Sequence, residues 1–228
     1  MKTQIGRTGY LSFMFFVSAA TLVLMTAVAQ EGTPGYPQGK ELDKYIFYNK
    51  PEVRALWISR FEWPSEDAEK CKQNITQIFE DMEKMNFNTA VFQVRGEADV
   101  LYPSAIEPWS PLIGSKDPGF DTVAFAIKEA HKRGIQFHAY VNPIPLYPAG
   151  GRGSTLPPHT TPEHVFYLHG PDTADPWVCC DEYGDLMNAA GAEYWYLSPG
   201  IPGVQEHVRA VVRELVSRYD LDGLHFDR

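Results

Sequence analysis

The sequence predicts an α/β fold, the N-terminal half of a (β/α)8 TIM barrel truncated after strand four. Three observations predict it. Four short apolar runs alternate with three amphipathic helical stretches, which means parallel strands joined by crossovers. The later strands each carry one apolar and one polar parity, whereas strands covered by helices on both faces are apolar on both. Finally, the chain has 228 residues, and a complete barrel needs about 250 residues and eight strands.

The barrel is expected over residues 50–228, about four of its eight strands, after a leader at 1–29 and a linker at 30–49. Lys2 and Arg7 form a basic start, Tyr10 to Ala29 carries no charge, and Ala27-Val28-Ala29 offers a small-residue cleavage site. That pattern reads as a signal peptide, hence an extracytoplasmic destination: periplasm, envelope or medium. Twenty uncharged residues could also span a bilayer as an uncleaved anchor, but the hydroxyl residues and Ala-rich end favour cleavage. With the leader removed, no stable membrane insertion is expected. Pro34, Gly35, Pro37 and Gly39 break the linker.

The elements then follow in order. Val53–Ile58 is the first strand. Ser65-Glu66-Asp67 supplies helix-capping chemistry ahead of Cys71, Ile75, Ile78, Phe79, Met82 and Met85 at helical spacing. Thr89–Val94 is the second strand. Asp121 opens a helix that Lys132-Arg133-Gly134 closes. Ile135–Val141 is the third strand. Asn142 to Gly200 shows no convincing helix, with a small hairpin around Tyr183-Gly184. Pro202 suits a helix start, Val204, Val208, Val211, Val212, Leu215 and Tyr219 mark its buried side, and Leu224–Phe226 is the fourth strand.

Composition narrows the function. The net charge of −9 leaves no basic surplus for phosphates, so no nucleic acid partner is expected. No Gly-rich loop follows the first strand, where Ser59-Arg60-Phe61-Glu62-Trp63 stands instead, so nucleotide binding loses its main support. The three cysteines fit no metal spacing. Cys71 reads as a small core residue, and Cys179 and Cys180 as two thiols or as one thiol and one bridge. No cofactor is implied, and oligomeric state is not readable.

Alternation on the strands picks out the chemistry. Gln93 and Arg95 share one parity of the second strand, His138, Tyr140 and Asn142 one parity of the third, and His225 and Asp227 one parity of the fourth. In a barrel, such groups converge at the strands' C-terminal ends, where active sites sit. Asp222, in Asp-Gly before the last strand, reads as turn chemistry. Asp99, Tyr102, Trp109, Trp177, Tyr194 and Trp195 in the loops, with Glu62 and Trp63 after the first strand, are candidate ligand-facing residues.

The stretches Phe92-Gln93-Val94-Arg95, Leu101-Tyr102-Pro103-Ser104, Pro108-Trp109-Ser110, Ala130-His131-Lys132-Arg133-Gly134, His138-Ala139-Tyr140-Val141-Asn142-Pro143 and Asp222-Gly223-Leu224-His225-Phe226-Asp227 resemble the glycosyl-hydrolase-like 10 family. These are bacterial secreted or envelope glycosidases by prediction, related to the α-amylase barrel superfamily. The resemblance runs from about Glu52 to Arg228. It departs at Ile144-Pro145-Leu146-Tyr147, where the family commonly has a basic residue, and everything after strand four is absent.

The resemblance implies a glycoside hydrolase acting on a poly- or oligosaccharide, a cell-envelope glycan among the candidates. It makes Asp227 the nucleophile or charge stabiliser. A fixed carboxylate opposite the anomeric carbon stabilises the positive charge that develops there. Arg95 is expected beside Asp227, keeping it ionised. Asn142, His138, Tyr140, His225, Asp99 and Trp109 are the expected substrate contacts, and the general acid is expected downstream of Arg228. Two alternatives stand: a non-catalytic glycan-binding envelope protein, and a metal-dependent hydrolase using His138, His225 and Asp227. The isolated chain is expected to be inactive or poorly folded, because an unclosed barrel exposes strand edges.

Overall fold

The computed structural model describes residues 52–148, 156–187 and 194–228, so the expected leader and linker lie outside the described residues. The described chain forms the unit Val53–Arg228. Its elements are β1 (Ala55–Ile58), α1 (Ala68–Lys84), β2 (Thr89–Arg95), α2 (Thr122–His131), β3 (Gln136–Val141), β4 (Pro145–Pro148), α3 (Val165–His169), β5 (Tyr194–Tyr196), α4 (Pro202–Arg218) and β6 (Gly223–Phe226).

Strands β1, β2, β3 and β6 form one parallel sheet in that order. Each new strand adds on the same side, so the reversal that defines a doubly wound sheet is absent among the described strands. The sheet also curls. Trp57 of β1 meets His225 of β6 with ring centroids 4.5 Å apart, although the two strands are three places apart. In a flat sheet that separation is roughly 14 Å. Only curvature toward the Trp57 face brings the rings together, which is the geometry of four staves of a (β/α)8 barrel.

The helices cover the other face for reasons visible in their sequences. Asp67 caps α1, its Oδ1 accepting from the backbone N–H groups of Glu69 and Lys70 at 2.9 and 3.1 Å. Cys71, Ile75, Phe79 and Met82 then fall on one buried stripe, while Met85, one turn further, is exposed. Asp121 caps α2 at the Ala124 N–H, 2.9 Å away, and Gly134 ends the turn after it at φ +69°. Phe79, Phe92 and Phe137 pack in series at 5.9 and 5.2 Å. Trp63, expected in a sugar subsite, is fully buried against Phe92. Tyr102 is likewise core.

The segment between β3 and α4 holds more structure than its composition suggests. β4 and β5 pair antiparallel, α3 is a short helix, and Cys180 bridges to Leu186 around the expected Tyr183-Gly184 turn. A second apolar cluster forms there, including Leu146, Tyr147, Val165, Val178, Leu197 and Val204. Cys71 is buried, and Cys179 and Cys180 are free thiols. Phe226 is 52% exposed, on the edge strand of the described sheet, which pairs with β3 alone.

Candidate active site

The concave face of the sheet collects polar and aromatic groups at the C-terminal ends of its strands. Asp227 follows β6. Its backbone N–H donates to Val141 O at 3.1 Å, and its Oδ2 accepts from the Tyr140 hydroxyl at 2.9 Å. Tyr140 is 5% exposed. Burial, together with the Asp227 hydrogen bond and charge, pushes its phenol up to about 12. Trp57 packs on Tyr140 at 4.9 Å, and His225 meets both rings edge-on. These four side chains form one cluster.

His138 lies one step lower, in register with Gly223. Its Nε2 is 3.3 Å from Gln136 Oε1, and its ring fills the space a Cβ on Gly223 would need, with atoms 2.6–2.8 Å from that position. Asp222 is structural, as expected from its turn. Its Oδ2 accepts from the Phe137 N–H and lies 2.8 Å from His131 Nε2. Desolvation opposes ionisation there, but those two partners hold the carboxyl below the ordinary range.

Arg95 departs from expectation. Its carboxylate partner is Glu107, not Asp227: Nε and Nη2 donate to the two Glu107 oxygens at 2.7 and 2.6 Å. The remaining Nη1 donates to Asn142 O. The cause is a β-bulge. Gln93 pairs with Tyr140, yet Arg95 pairs with Val141, so two residues of β2 oppose one step of β3 and the alternation slips. Arg95 therefore enters a buried network that His207 of α4 completes, Nε2 lying 2.7 Å from Glu107 Oε1. Burial alone would raise the Glu107 carboxyl, but Arg95 and His207 hold it at about 2. Asn142 is also buried, with Oδ1 lacking a hydrogen-bond partner.

Asp99 and Trp109 come together elsewhere. They line a small cleft with Tyr147, Thr160 and His164 between the β2–α2 loop and the β3–α4 segment. Asp99 Oδ1 accepts from Glu97 N–H at 3.2 Å. His164 is buried, which lowers its imidazole, and its Nε2 lies 2.9 Å from Glu97 O. Trp177 stacks on His169 at 3.6 Å, and Tyr194 lies under the Arg228 guanidinium at 5.4 Å. The metal alternative finds no donor set. Among the described residues no three His, Cys, Asp or Glu side chains converge at ligand range.

Three residues of this region escaped the sequence reading. Trp57 was recoverable, since Leu56 and Ile58 are apolar and alternation puts Trp57 on the opposite face. Arg60, buried and ion-paired to Glu97, sits after β1 with no pattern to mark it. Glu107 lies in a loop without periodicity and carried no signal.

The family model for glycosyl hydrolase-like 10 matches residues 52–228, the whole described barrel segment. The chain belongs to the glycosyl hydrolase-like 10 family. Among relatives of this glycosyl hydrolase-like 10 chain, glycosyl hydrolase YngK of Bacillus subtilis (strain 168) is 33% identical over 185 residues, covering 77% of this chain and 32% of YngK. Glycosyl hydrolase DigH of Escherichia coli (strain K12) is 31% identical over 207 residues, covering 84% and 45%. This member thus spans less than half the length of the curated relatives it matches. In structure it resembles α-L-fucosidase isoenzyme 2 from Paenibacillus thiaminolyticus, with a TM-score of 0.53 at 18% identity over 78% of this chain and 24% of that one. That likeness is one of fold.

Proposed function

We propose that this chain supplies the first four staves of a glycoside hydrolase barrel acting on a poly- or oligosaccharide, with Asp227 as the reacting carboxylate. One observation carries the reading. In a chain of this family, Asp227 sits at the C-terminal end of a parallel barrel strand, where such folds place their chemistry, and a hydrogen bond from Tyr140 fixes it on the concave face. A carboxylate held there stabilises positive charge at an anomeric carbon. The partner acid that protonates the leaving oxygen comes from outside residues 1–228. In this reading the leader at 1–29 exports the chain and the substrate lies outside the cytoplasm, a cell-envelope glycan being among the candidates. No described helix is long and apolar enough to cross a membrane. The 228-residue chain alone does not turn over substrate in this reading.

The test is hydrolysis by the full-length protein of 4-nitrophenyl glycosides and of end-labelled glycan strands. Asp227→Asn is expected to lower turnover by about a hundred- to a thousand-fold. Wild-type rates in that variant overturn the reading. Tight glycan binding without turnover in the native protein favours the non-catalytic glycan-binding alternative.

A further inference from the structure

We infer that Tyr140 is a positioning residue for Asp227 rather than a sugar contact, and that Asp227 presents Oδ1 to the bound sugar. The inference rests on Asp227 being the reacting carboxylate. Two consecutive residues of β3 grip Asp227. Val141 O takes its backbone N–H at 3.1 Å, and the Tyr140 hydroxyl donates to its Oδ2 at 2.9 Å. A hydroxyl has one proton to give, so the Tyr140 donor is already committed. The terminal torsion of an aspartate is broad and roughly two-fold. A donor on one oxygen selects one orientation and leaves Oδ1 as the oxygen without the Tyr140 bond.

The ring that carries this hydroxyl is itself held. Trp57 packs on it at 4.9 Å and His225 at 5.8 Å, and Tyr140 is 5% exposed. Stacking a sugar needs an open ring face, and Tyr140 has none. Trp57, 47% exposed, is the brace. The phenol stays protonated at neutral pH because burial and Asp227 push it up to about 12, so it remains a donor there. Besides Asp227, the charged groups acting on the Tyr140 phenol are Arg228 and Arg60, which both lower it.

The experiment uses the full-length protein and the 4-nitrophenyl glycoside it cleaves fastest. Tyr140→Phe removes one oxygen and keeps the packed ring. It is expected to lower kcat about ten- to a hundred-fold, the scale of a misplaced reacting group. KM stays within about two-fold, and the free sugar binds with unchanged calorimetric stoichiometry, as an orientation defect requires. A loss of folded protein lowers that stoichiometry instead. Wild-type kcat, or a change confined to KM, overturns the inference. If Tyr140→Phe fails to fold, Trp57→Phe loosens the brace with the hydroxyl intact, and the same split decides. A substrate-free readout is the crystal structure of Tyr140→Phe, in which the Asp227 carboxylate is expected in more than one orientation; a single unchanged orientation also overturns it. Full activity in Asp227→Asn instead sinks the proposed function and leaves the Tyr140 contact a structural one.

Discussion

Arg95 and Glu107 meet through two parallel hydrogen bonds of 2.7 and 2.6 Å, and both side chains are shut away from solvent. The bond joins the end of β2 to the loop that follows it, and His207 ties α4 to the same carboxylate. Three segments therefore meet on one buried charge. Removing one partner strands the other without compensation, which costs about 3–5 kcal/mol. Glu107→Gln is expected to destabilise the full-length protein by that amount in urea unfolding. Arg95→Lys is expected to do nearly as much harm, since an ammonium cannot make the bidentate contact.

The same carboxylate sets an acid limit. Glu107 is held at about 2 in the folded protein, below its ordinary value near 4.3 when unfolded. Its stabilisation is fully present above the unfolded value and disappears as pH falls through the folded one. Stability is expected to drop between about pH 4.5 and pH 2, and Glu107→Gln is expected to flatten that drop while lowering stability at neutral pH. Chemical unfolding at a series of pH values checks both; an equally steep acid limb in the variant excludes Glu107 as its source.

Where the sequence was legible, a period made it so. The stripe Cys71, Ile75, Phe79 and Met82 announces α1 and its buried face, and the polar alternates Tyr140, His225 and Asp227 land together as alternation requires. Arg95 fell outside because a bulge adds one residue to β2 and slips the phase, and no residue pattern forecast it. Glu107 and Arg60 sit on loops, where contacts come from tertiary folding alone. α3 escaped because five residues are too few to show a helical period.

Gly223 is expected to tolerate no side chain. A Cβ there would lie 2.6–2.8 Å from three atoms of the His138 ring, and the ring lies across a β3–β6 register pair. Gly223→Ala must push the imidazole aside or part the two strands, an overpacking cost of about 1–3 kcal/mol. Cutting the ring back with His138→Ala is expected to restore most of that loss in the double variant. Thermal unfolding of the four proteins of the cycle measures the coupling, and additive effects would mean that the ring does not touch Gly223.

Gly96 carries a parallel constraint next to the site. Its Cα faces the buried Arg60 guanidinium, and an added Cβ would collide with Nη1 and lie 2.9 Å from Asp99 Oδ1. The Arg60 side chain is held there by its ion pair to Glu97 and is 4% exposed. It therefore has little room to yield. Gly96→Ala is expected to break the Arg60–Glu97 pair and to destabilise the full-length protein by about 3–5 kcal/mol, the range for uncoupling a buried pair. Arg60→Met removes the colliding group and its charge together, and in that background Gly96→Ala is expected to cost about 1 kcal/mol or less. Urea midpoints for the two single variants and the double variant decide it: an undiminished effect of Gly96→Ala beside Met at position 60 would place the strain in the backbone instead of in the guanidinium.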